Sequence, residues 1–550
     1  MRLRAVGNIG WKIVAVLMSA WQMSVGTASA QGSSYYEDVQ YDPYQRRLYF
    51  VGEERPHTSL KSYKMDELRE YFDPDSVLYE GIGRLVNTRA RIVNDFCNGD
   101  FLHWTSKDSA VRVAINPMMD FEVGSDKNQT RSRTTWTNSR GFYLDGNLGK
   151  NFWFYLDFTE NQAIMSDYMM NVLDSLRTMP CTAHVRHING MGKEFDYMTS
   201  TGYICFNAGE WIDFQVGKTH TFVGDGYRSL LLSDASEPVP TFKMNVTFLG
   251  AKYMMMVSQL RAAENKVSNN GDKAKYSFSH YLDWNMGKRF TLGVFENITQ
   301  ATWRKTGETR GIDWEYLNPF IVFRPGELSA GSPDNVLIGM TSKFVCNNYV
   351  TVYGQFFFDE FRIKDLVHNP HSWTNKYGFQ IGARATNIFN VEGLDALVEM
   401  NRVRPYCYSQ FDGMGTYMHK KLCMGHPLGA NLKEGLGVLN YKHGRVSARL
   451  EVVGTKYGDD FPKDSVSYGH NPLINSTKRV SSRDVRTLQG LETKLLYVNL
   501  NGAFIINPKT MMTLTAGVRL RKRESERTKE DSKQVYVALR WNIRPRNFSY

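Results

Sequence analysis

From about residue 109 to the end of the chain, apolar residues recur two apart within runs closed by alternately short and long connections. A period of two puts successive side chains on opposite faces of a strand, so each run has one greasy face and one polar face. In residues 512–521 the set Met512, Leu514, Ala516, Val518 and Leu520 interleaves with Thr513, Thr515, Gly517, Arg519 and Arg521. Val446, Ala448, Leu450 and Val452 alternate with Ser447, Arg449 and Glu451, and Val535, Val537, Leu539, Trp541 and Ile543 with Tyr536, Ala538, Arg540 and Asn542. Each run has about the length a tilted strand needs to cross a bilayer. The short connections fall near 147–150, 207–210, 250–252, 285–288, 346–348, 390–393, 442–444 and 507–509, and most carry the Asn and Gly that tight hairpins require. Loops of roughly ten to forty residues separate them, the pattern of a barrel with one rim in the periplasm. Eight short turns predict an all-β, antiparallel transmembrane barrel of roughly eighteen strands. A soluble sandwich or propeller also alternates, but does not place all its long loops on one side.

The start of the chain points to the same compartment. Arg2, Arg4 and Lys12 precede a short apolar stretch at 13–20, and Ala28, Ser29 and Ala30 form a small-residue cleavage site before Gln31, so residues 1–30 read as a secretory signal. No later run of eighteen apolar residues can serve as a membrane helix, which leaves a barrel as the way to span. The expected location is the outer membrane, with outer-membrane lipid around the wall. Residues 31–108 read as a small periplasmic N-terminal extension, with an extended stretch at 47–51. A short amphipathic helix at 62–72 places Met65, Leu68 and Phe72 on one face. This extension is expected to pack against or insert into the mouth of the barrel formed by 109–550.

The net charge is +11, of which three units come from Arg2, Arg4 and Lys12. The long loops sum to about zero, so the surplus lies in the strands and the segment before them. Arg449, Arg519, Arg521 and Arg540 have the polar parity and point into the lumen. There they either make a basic channel that attracts polyanions or brace the wall against carboxylates. Six cysteines sort by membrane side into the expected pairs Cys181–Cys205, Cys407–Cys423 and Cys97–Cys346. Their spacing matches no metal site, and no cofactor motif occurs.

Several outer loops are too apolar for free solvent. Residues 227–233 and 316–328 must bury side chains against each other or inside the barrel, which favours a plugged or gated barrel. Trp303, Trp314, Tyr316, Tyr227, Trp373 and Tyr417 either stack on sugar rings or form a loop core. In 224–234 the glycines permit a tight loop, and Arg228 is placed to pair with Asp225 or Asp234. Arg402, Arg404, Tyr406 and His419 gather at one outer rim, and Arg324 with Glu327 at another. Together Asp225, Arg228, Arg324, Glu327, Arg402, Arg404, Tyr406 and His419 are the candidate ligand-binding residues. Arginine can grip a uronic acid carboxylate in a two-pronged fork, although structural pairing accounts for each of them equally simply. No reaction is expected: Asp359 and Glu360 are adjacent and point to opposite faces, His220 and Ser229 form no recognisable dyad, and no Gly-x-Ser-x-Gly or His-Glu-x-x-His segment occurs. Nucleic acid is excluded as a partner by export and by the absence of basic runs.

The segments at 224–234, 316–319, 331–335, 353–355, 359–361, 375–378, 401–406 and 425–431, with Glu160, Asn161 and Gln162, resemble those of the Wzi-like capsule assembly proteins of Bacteroidota, a group whose relatives are also named for gliding motility. The resemblance runs from about residue 140 to about 434. It implies an outer-membrane barrel of about eighteen strands with a periplasmic helical extension. It also implies a lectin-like role, holding capsular or other surface polysaccharide and assisting its assembly or attachment. The alternatives are a surface component of gliding or secretion that contacts other envelope proteins, and a diffusion channel for solutes.

Overall fold

Eighteen strands follow one another around a closed antiparallel barrel in the computed structural model. The structure describes residues 35–36, 44–49, 51–52, 55–83, 85–128, 132–188, 194–262, 273–302, 309–320, 334–360, 363–462, 464–543 and 548–549. The signal expected at 1–30, Trp303, Arg324 and Glu327 lie outside them. The wall comprises β1 (Val111–Lys127), β2 (Ser132–Leu148), β3 (Phe152–Ile164), β4 (Glu194–Ala208), β5 (Ile212–Thr219), β6 (Val239–Phe248), β7 (Ala251–Arg261), β8 (Ala274–Met286) and β9 (Phe290–Ala301). It continues with β10 (Asn335–Val345), β11 (Val350–Glu360), β12 (Lys376–Ala385), β13 (Leu394–Val403), β14 (Leu432–His443), β15 (Val446–Asp459), β16 (Leu491–Asn507), β17 (Met512–Ser525) and β18 (Lys529–Trp541). Closure comes from β18 on β1, with Lys533 opposite Lys127 and Trp541 opposite Met119. Closure satisfies the backbone groups of every strand within the wall, the condition for crossing hydrocarbon.

The parity of the sequence sorts the faces. Leu496, Leu500 and Phe504 on β16, Leu514, Val518 and Leu520 on β17, and Val535 and Val537 on β18 are exposed on the outside. Such a band is stable only against lipid. Thr515, Arg519, Arg521 and Gln534 on the opposite parity are buried inside. The eight short turns fall where expected. Two of the nine outer connections, 128–131 and 526–528, are also short, so the expected alternation of short and long is broken there. β1 and β2 run for 17 residues each and close directly on one another.

The N-terminal region lies across the short-turn mouth of the barrel. It contains α1 (Gln45–Leu48), α2 (Met65–Arg69), α3 (Pro74–Tyr79) and α4 (Arg91–Asn98). Asp73 caps α3 by accepting from the Asp75 amide, and Pro74 fills the first turn, where no amide donor is needed. Tyr44, Leu48, Tyr63, Leu68, Val77 and Leu78 form the core of this region, with Met65 and Phe72 packed on it. The helix expected over 62–72 is thus confined to α2 but uses the expected face, and part of the stretch expected to be extended at 47–51 is α1. Ties run to the short-turn end of the wall: Arg46 to Asp395 at 2.9 Å, Lys64 to Asn207 at 2.6 Å, and Arg55 to the Gly287 and Phe290 carbonyls at 2.9 and 3.0 Å. Trp541 is buried despite its outward parity, because Phe96 and Phe101 meet its ring edge-on at 4.9 and 6.0 Å.

All six cysteines are free thiols, which corrects the three expected pairings. Cys205 stands near the short-turn end of β4, whereas Cys181 is in a loop at the opposite end, its amide bonded to the Ala235 carbonyl. Cys97 is on α4 beside β16, and Cys346 is in the β10–β11 turn on another part of the rim. Cys407 and Cys423 share a buried cluster, but their thiols face the Tyr377 and Tyr417 carbonyls.

Candidate functional site

The lumen is filled from both ends, and the two fillings meet. Outer loop 220–238, between β5 and β6, descends into the barrel, and Phe222 and Val223 pair with Lys61 and Leu60 of the N-terminal segment. Gly224 has φ of +128°, and a side chain there would overlap the Gln355 amide at 1.9 Å. Glycine is needed because the loop backbone runs directly against the wall. Beyond it, Leu230, Leu231 and Leu232 are fully buried among Met254, Tyr281 and Phe357, so the apolar stretch is a core inside the pore.

At the meeting point the Asp225 carboxylate accepts from Tyr49 Oη at 2.9 Å, Thr58 Oγ1 at 2.5 Å and Ser59 Oγ at 2.7 Å. Lys343 Nζ on β10 is 3.9 Å away and donates to Thr58 Oγ1 at 2.5 Å. One buried carboxylate therefore joins the N-terminal segment, the outer loop and the wall. The loop is also held by luminal side chains. Glu399 accepts from the amides of Tyr227 at 2.7 Å and Arg228 at 3.2 Å, Gln355 accepts from Leu230 at 2.8 Å, and Gln380 donates to the Arg228 carbonyl at 2.9 Å. The Arg228 guanidinium pairs with Glu434 at 3.3 Å, not with Asp225 or Asp234, and bonds Ser549 Oγ at 2.7 Å. His426 joins Glu434 at 2.7 Å.

Loop 404–431 locks this plug from outside. Tyr408 and Tyr417 donate to the Leu230 and Leu231 carbonyls at 2.9 and 2.8 Å. Arg404 donates to the carbonyls of Asn375, Ser372 and Val485, joining three outer loops. Tyr406 is buried and donates to the Ser467 carbonyl at 2.9 Å. His419 Nδ1 accepts from the Arg261 amide at 3.1 Å, which leaves Nε2–H to donate to Glu237 at 3.0 Å. Burial opposes the ionised Glu237, but His419 and Lys420 outweigh it and hold the carboxyl at about 2. Burial holds His419 below its ordinary value, in keeping with the neutral tautomer.

Of the candidate ligand residues, Asp225, Arg228, Arg404, Tyr406 and His419 are therefore buried in the plug and bonded to the protein. Arg402 is on the outward face at the outer rim, where it donates to Thr487 at 3.4 Å. Among the aromatics, Tyr227, Tyr316 and Tyr417 are buried, whereas Trp314 is 79% exposed. Trp373 is half-buried, with the Arg479 guanidinium 4.2 Å over its ring. The loops 361–375 and 460–490 meet there, the Trp373 amide donating to the Ser482 carbonyl and the Val485 amide to the His371 carbonyl, and they expose His371, Lys478, Arg483 and Arg486, the last paired with Asp484 at 2.9 Å. Reasoning from sequence assigned no role to Glu399, Glu434 and Gln380, and met Gln355 only within the segment 353–355. Their signal is a polar residue on luminal parity next to loops too apolar for solvent.

A cavity of about 170 Å³ remains against β1 and β15–β18, bounded by Glu122, Glu451, Arg449, Arg519, Tyr536 and Phe548. The luminal arginines are braced: Arg519 grips Glu122 in a fork at 2.6 and 2.9 Å, Arg540 reaches Asp120 at 3.4 Å and Glu122 at 2.5 Å, and Arg521 reaches Glu530 at 3.4 Å. For Arg519, Arg521 and Arg540 the structure selects the brace, whereas Arg449 donates to Asn440 at 3.0 Å and lies over the Tyr227 ring.

No family model matches the chain, and no curated protein matches it. Among solved structures it is similar to Wzi of Escherichia coli, an outer membrane protein involved in group 1 capsule assembly and a carbohydrate-binding β-barrel. That match has 12% identity and a TM-score of 0.52, and covers 94% of this chain and 100% of the other. OprD of Pseudomonas aeruginosa matches with 9% identity over 79% of this chain and 96% of the other, TM-score 0.39. OccAB4 of Acinetobacter baumannii matches with 6% identity over 78% and 97%, TM-score 0.40. At these identities the likeness to Wzi establishes the fold, an outer-membrane barrel of eighteen strands.

Proposed function

We propose that the chain is a non-conducting outer-membrane barrel that binds surface polysaccharide through its outer loops and assists capsule assembly or attachment, without catalysing a reaction. The observation that carries this reading is the doubly filled lumen, in which Asp225 ties the outer plug to the N-terminal segment. A filled pore favours holding over passage. The carbohydrate binding of Wzi, whose fold the chain shares, supports the same reading. Asp225, Arg228, Arg404, Tyr406 and His419 then act as struts that set the outer loops. Contact with glycan falls to exposed groups on those loops: Trp373 under Arg479, with Lys478 and Arg483 exposed on the same loop as Arg479. A flat ring with nearby cations suits a sugar that carries a carboxylate.

The test is glycan binding by detergent-purified protein at low and high salt, together with single-channel recording. Binding of acidic glycans that weakens in Trp373→Ala, with no steady openings, supports the proposal. Large steady openings favour the solute channel instead. Retained capsule with lost spreading or secretion in a deletion strain favours a gliding or secretion component.

A further inference from the structure

A charged side chain on the lipid-facing parity of a barrel is costly at the membrane midplane and tolerated at a rim. At the outer ends of four consecutive strands that parity carries Arg402 on β13, Lys433 on β14, Lys456 on β15 and Lys494 on β16. The register makes them direct neighbours: Arg402 is opposite Lys433, Lys433 opposite Lys456, and Lys456 opposite Lys494. The row ends at Phe379 on β12 and Glu524 on β17. Residues directly opposite in a sheet stand about 5 Å apart at Cβ, where like charges repel. Little on the protein relieves this. Glu492 reaches Lys494 at 3.8 Å, whereas Glu524 is engaged by Lys522 and Lys529 at 3.0 Å each. Among the described residues no ion pair joins Lys433 or Lys456.

The surface beneath the row has a shape of its own. One step toward the membrane the outward partners are Met400, Gly435, Gly454 and Leu496, and one step further Val398, Gly437, Val452 and Val498. A side-chain carbon at Gly435 would meet nothing within 4 Å, and at Gly437 and Gly454 only a backbone oxygen at 3.9 and 3.8 Å. None of the three has left-handed φ, so backbone conformation does not call for glycine there. Their effect is to leave a shallow trough between the exposed ridges of Val398 and Met400 on one side and Leu496 on the other.

We propose that this face of the barrel seats a lipid of the outer leaflet whose headgroup carries phosphate, with the anion against Lys433 and Lys456, flanked by Arg402 and Lys494, and an acyl chain in the glycine trough. The seat is independent of the polysaccharide reading and belongs to a different surface. The four cations span three inter-strand spacings, roughly 14 Å, wide enough for more than one anionic group.

The test is binding of a fluorescent phosphatidic acid to the purified full-length barrel in a neutral detergent, with phosphatidylcholine of the same chains as the uncharged control. Each cation near a charged lipid surface is worth roughly fivefold in affinity, so the double variant Lys433→Gln/Lys456→Gln is expected to bind about 25-fold more weakly. Gly435→Leu/Gly454→Leu, which keeps the cations and fills the trough, is expected to weaken the lipid as well. Equal binding of phosphatidylcholine, or an unchanged double variant, overturns the proposal. So does displacement of the lipid by inorganic phosphate at matching concentration, which identifies a free-anion site, or by a soluble polyuronate, which identifies a glycan site. A stability measurement separates a seat from a structural brace. Without lipid and at low salt, Lys456→Gln is expected to raise the melting temperature by relieving repulsion, and a fall overturns the reasoning.

Discussion

Replacing Asp225 with Ala should open the seal between the two halves of the plug. The substitution removes the acceptor for three hydroxyl donors, Tyr49, Thr58 and Ser59, and leaves Lys343 buried without its carboxylate. Removing one partner of a buried pair costs about 3–5 kcal/mol, most of it the penalty of the stranded charge. The outer loop keeps its ties to the wall through Glu399, Gln355 and Gln380, so the cost falls on local opening between the loop and the N-terminal segment. At about 1.4 kcal/mol per tenfold, the population with the segment displaced rises about 10²- to 10⁴-fold. The wall, held by its own ladders, should melt almost unchanged. Amide exchange at residues 58–61 should speed up by that factor, single-channel recording should gain openings absent from the parent, and protease added on the periplasmic side should cut between 44 and 64. Asp225→Asn, which keeps one acceptor and loses the charge, should fall between. Unchanged exchange and an unchanged electrical record in Asp225→Ala would refute the claim that this carboxylate holds the seal.

Glu122→Ala should lower barrel stability by about 3–5 kcal/mol in denaturant unfolding, because it strands Arg519 and removes a partner of Arg540, while Glu524→Ala at the exposed rim should leave the unfolding curve nearly unchanged. Leu500→Arg, on the outward face, should cost about 2–4 kcal/mol in folding into liposomes, and Asn499→Ser, its luminal neighbour, should be nearly silent. The outer clasp should loosen in acid. His419 is held below its ordinary value and Glu237 at about 2, so the unfolded loop binds more protons than the folded one as pH falls below about 6.5, and again between about 4.5 and about 2. Amide exchange of residues 417–424 against pH measures this, and a clasp that tightens on acidification would contradict it.

The wall was legible because its rule is local. Parity alone told Leu500 from Asn499 and Val535 from Tyr536, and Asn and Gly in the short turns fixed the strand count. What parity could not supply was the partner. Arg228 lies three residues from Asp225, yet its carboxylate is Glu434, 206 positions away. The loop crosses the lumen before turning, and nothing in the local sequence states that distance. The cysteines failed on distance and orientation too: Cys205 stands at the opposite end of the wall from Cys181, Cys97 and Cys346 lie on different parts of one rim, and Cys407 and Cys423 share a cluster with their thiols turned to other carbonyls. The loop aromatics were ambiguous because burial and sugar stacking call for the same residues. Only the fold separates Tyr417, spent on the Leu231 carbonyl, from Trp314, left in solvent.

The location of the positive charge bears on what this barrel can attract. A net charge of +11 first reads as a basic lumen, but Arg519, Arg540 and Arg521 are matched inside by Glu122, Asp120 and Glu530, and Arg228 by Glu434. A braced arginine presents little field to a distant anion, since its carboxylate partner lies within one hydrogen bond. Buried Lys275 and Lys376 spend their ammonium groups on the Thr416 and Ser409 carbonyls, whereas Lys433 and Lys456 at the rim, and Lys478 and Arg483 on the outer loops, stand exposed without an ion pair among the described residues. The pull on anions is therefore exerted at the cell surface and at the lipid boundary, and is screened there by salt over about 8–10 Å. Neutralising Lys478 and Arg483 together should flatten the salt dependence of acidic glycan binding, whereas Arg449→Gln, inside the lumen, should leave it alone. The opposite result would return the electrostatics to the pore.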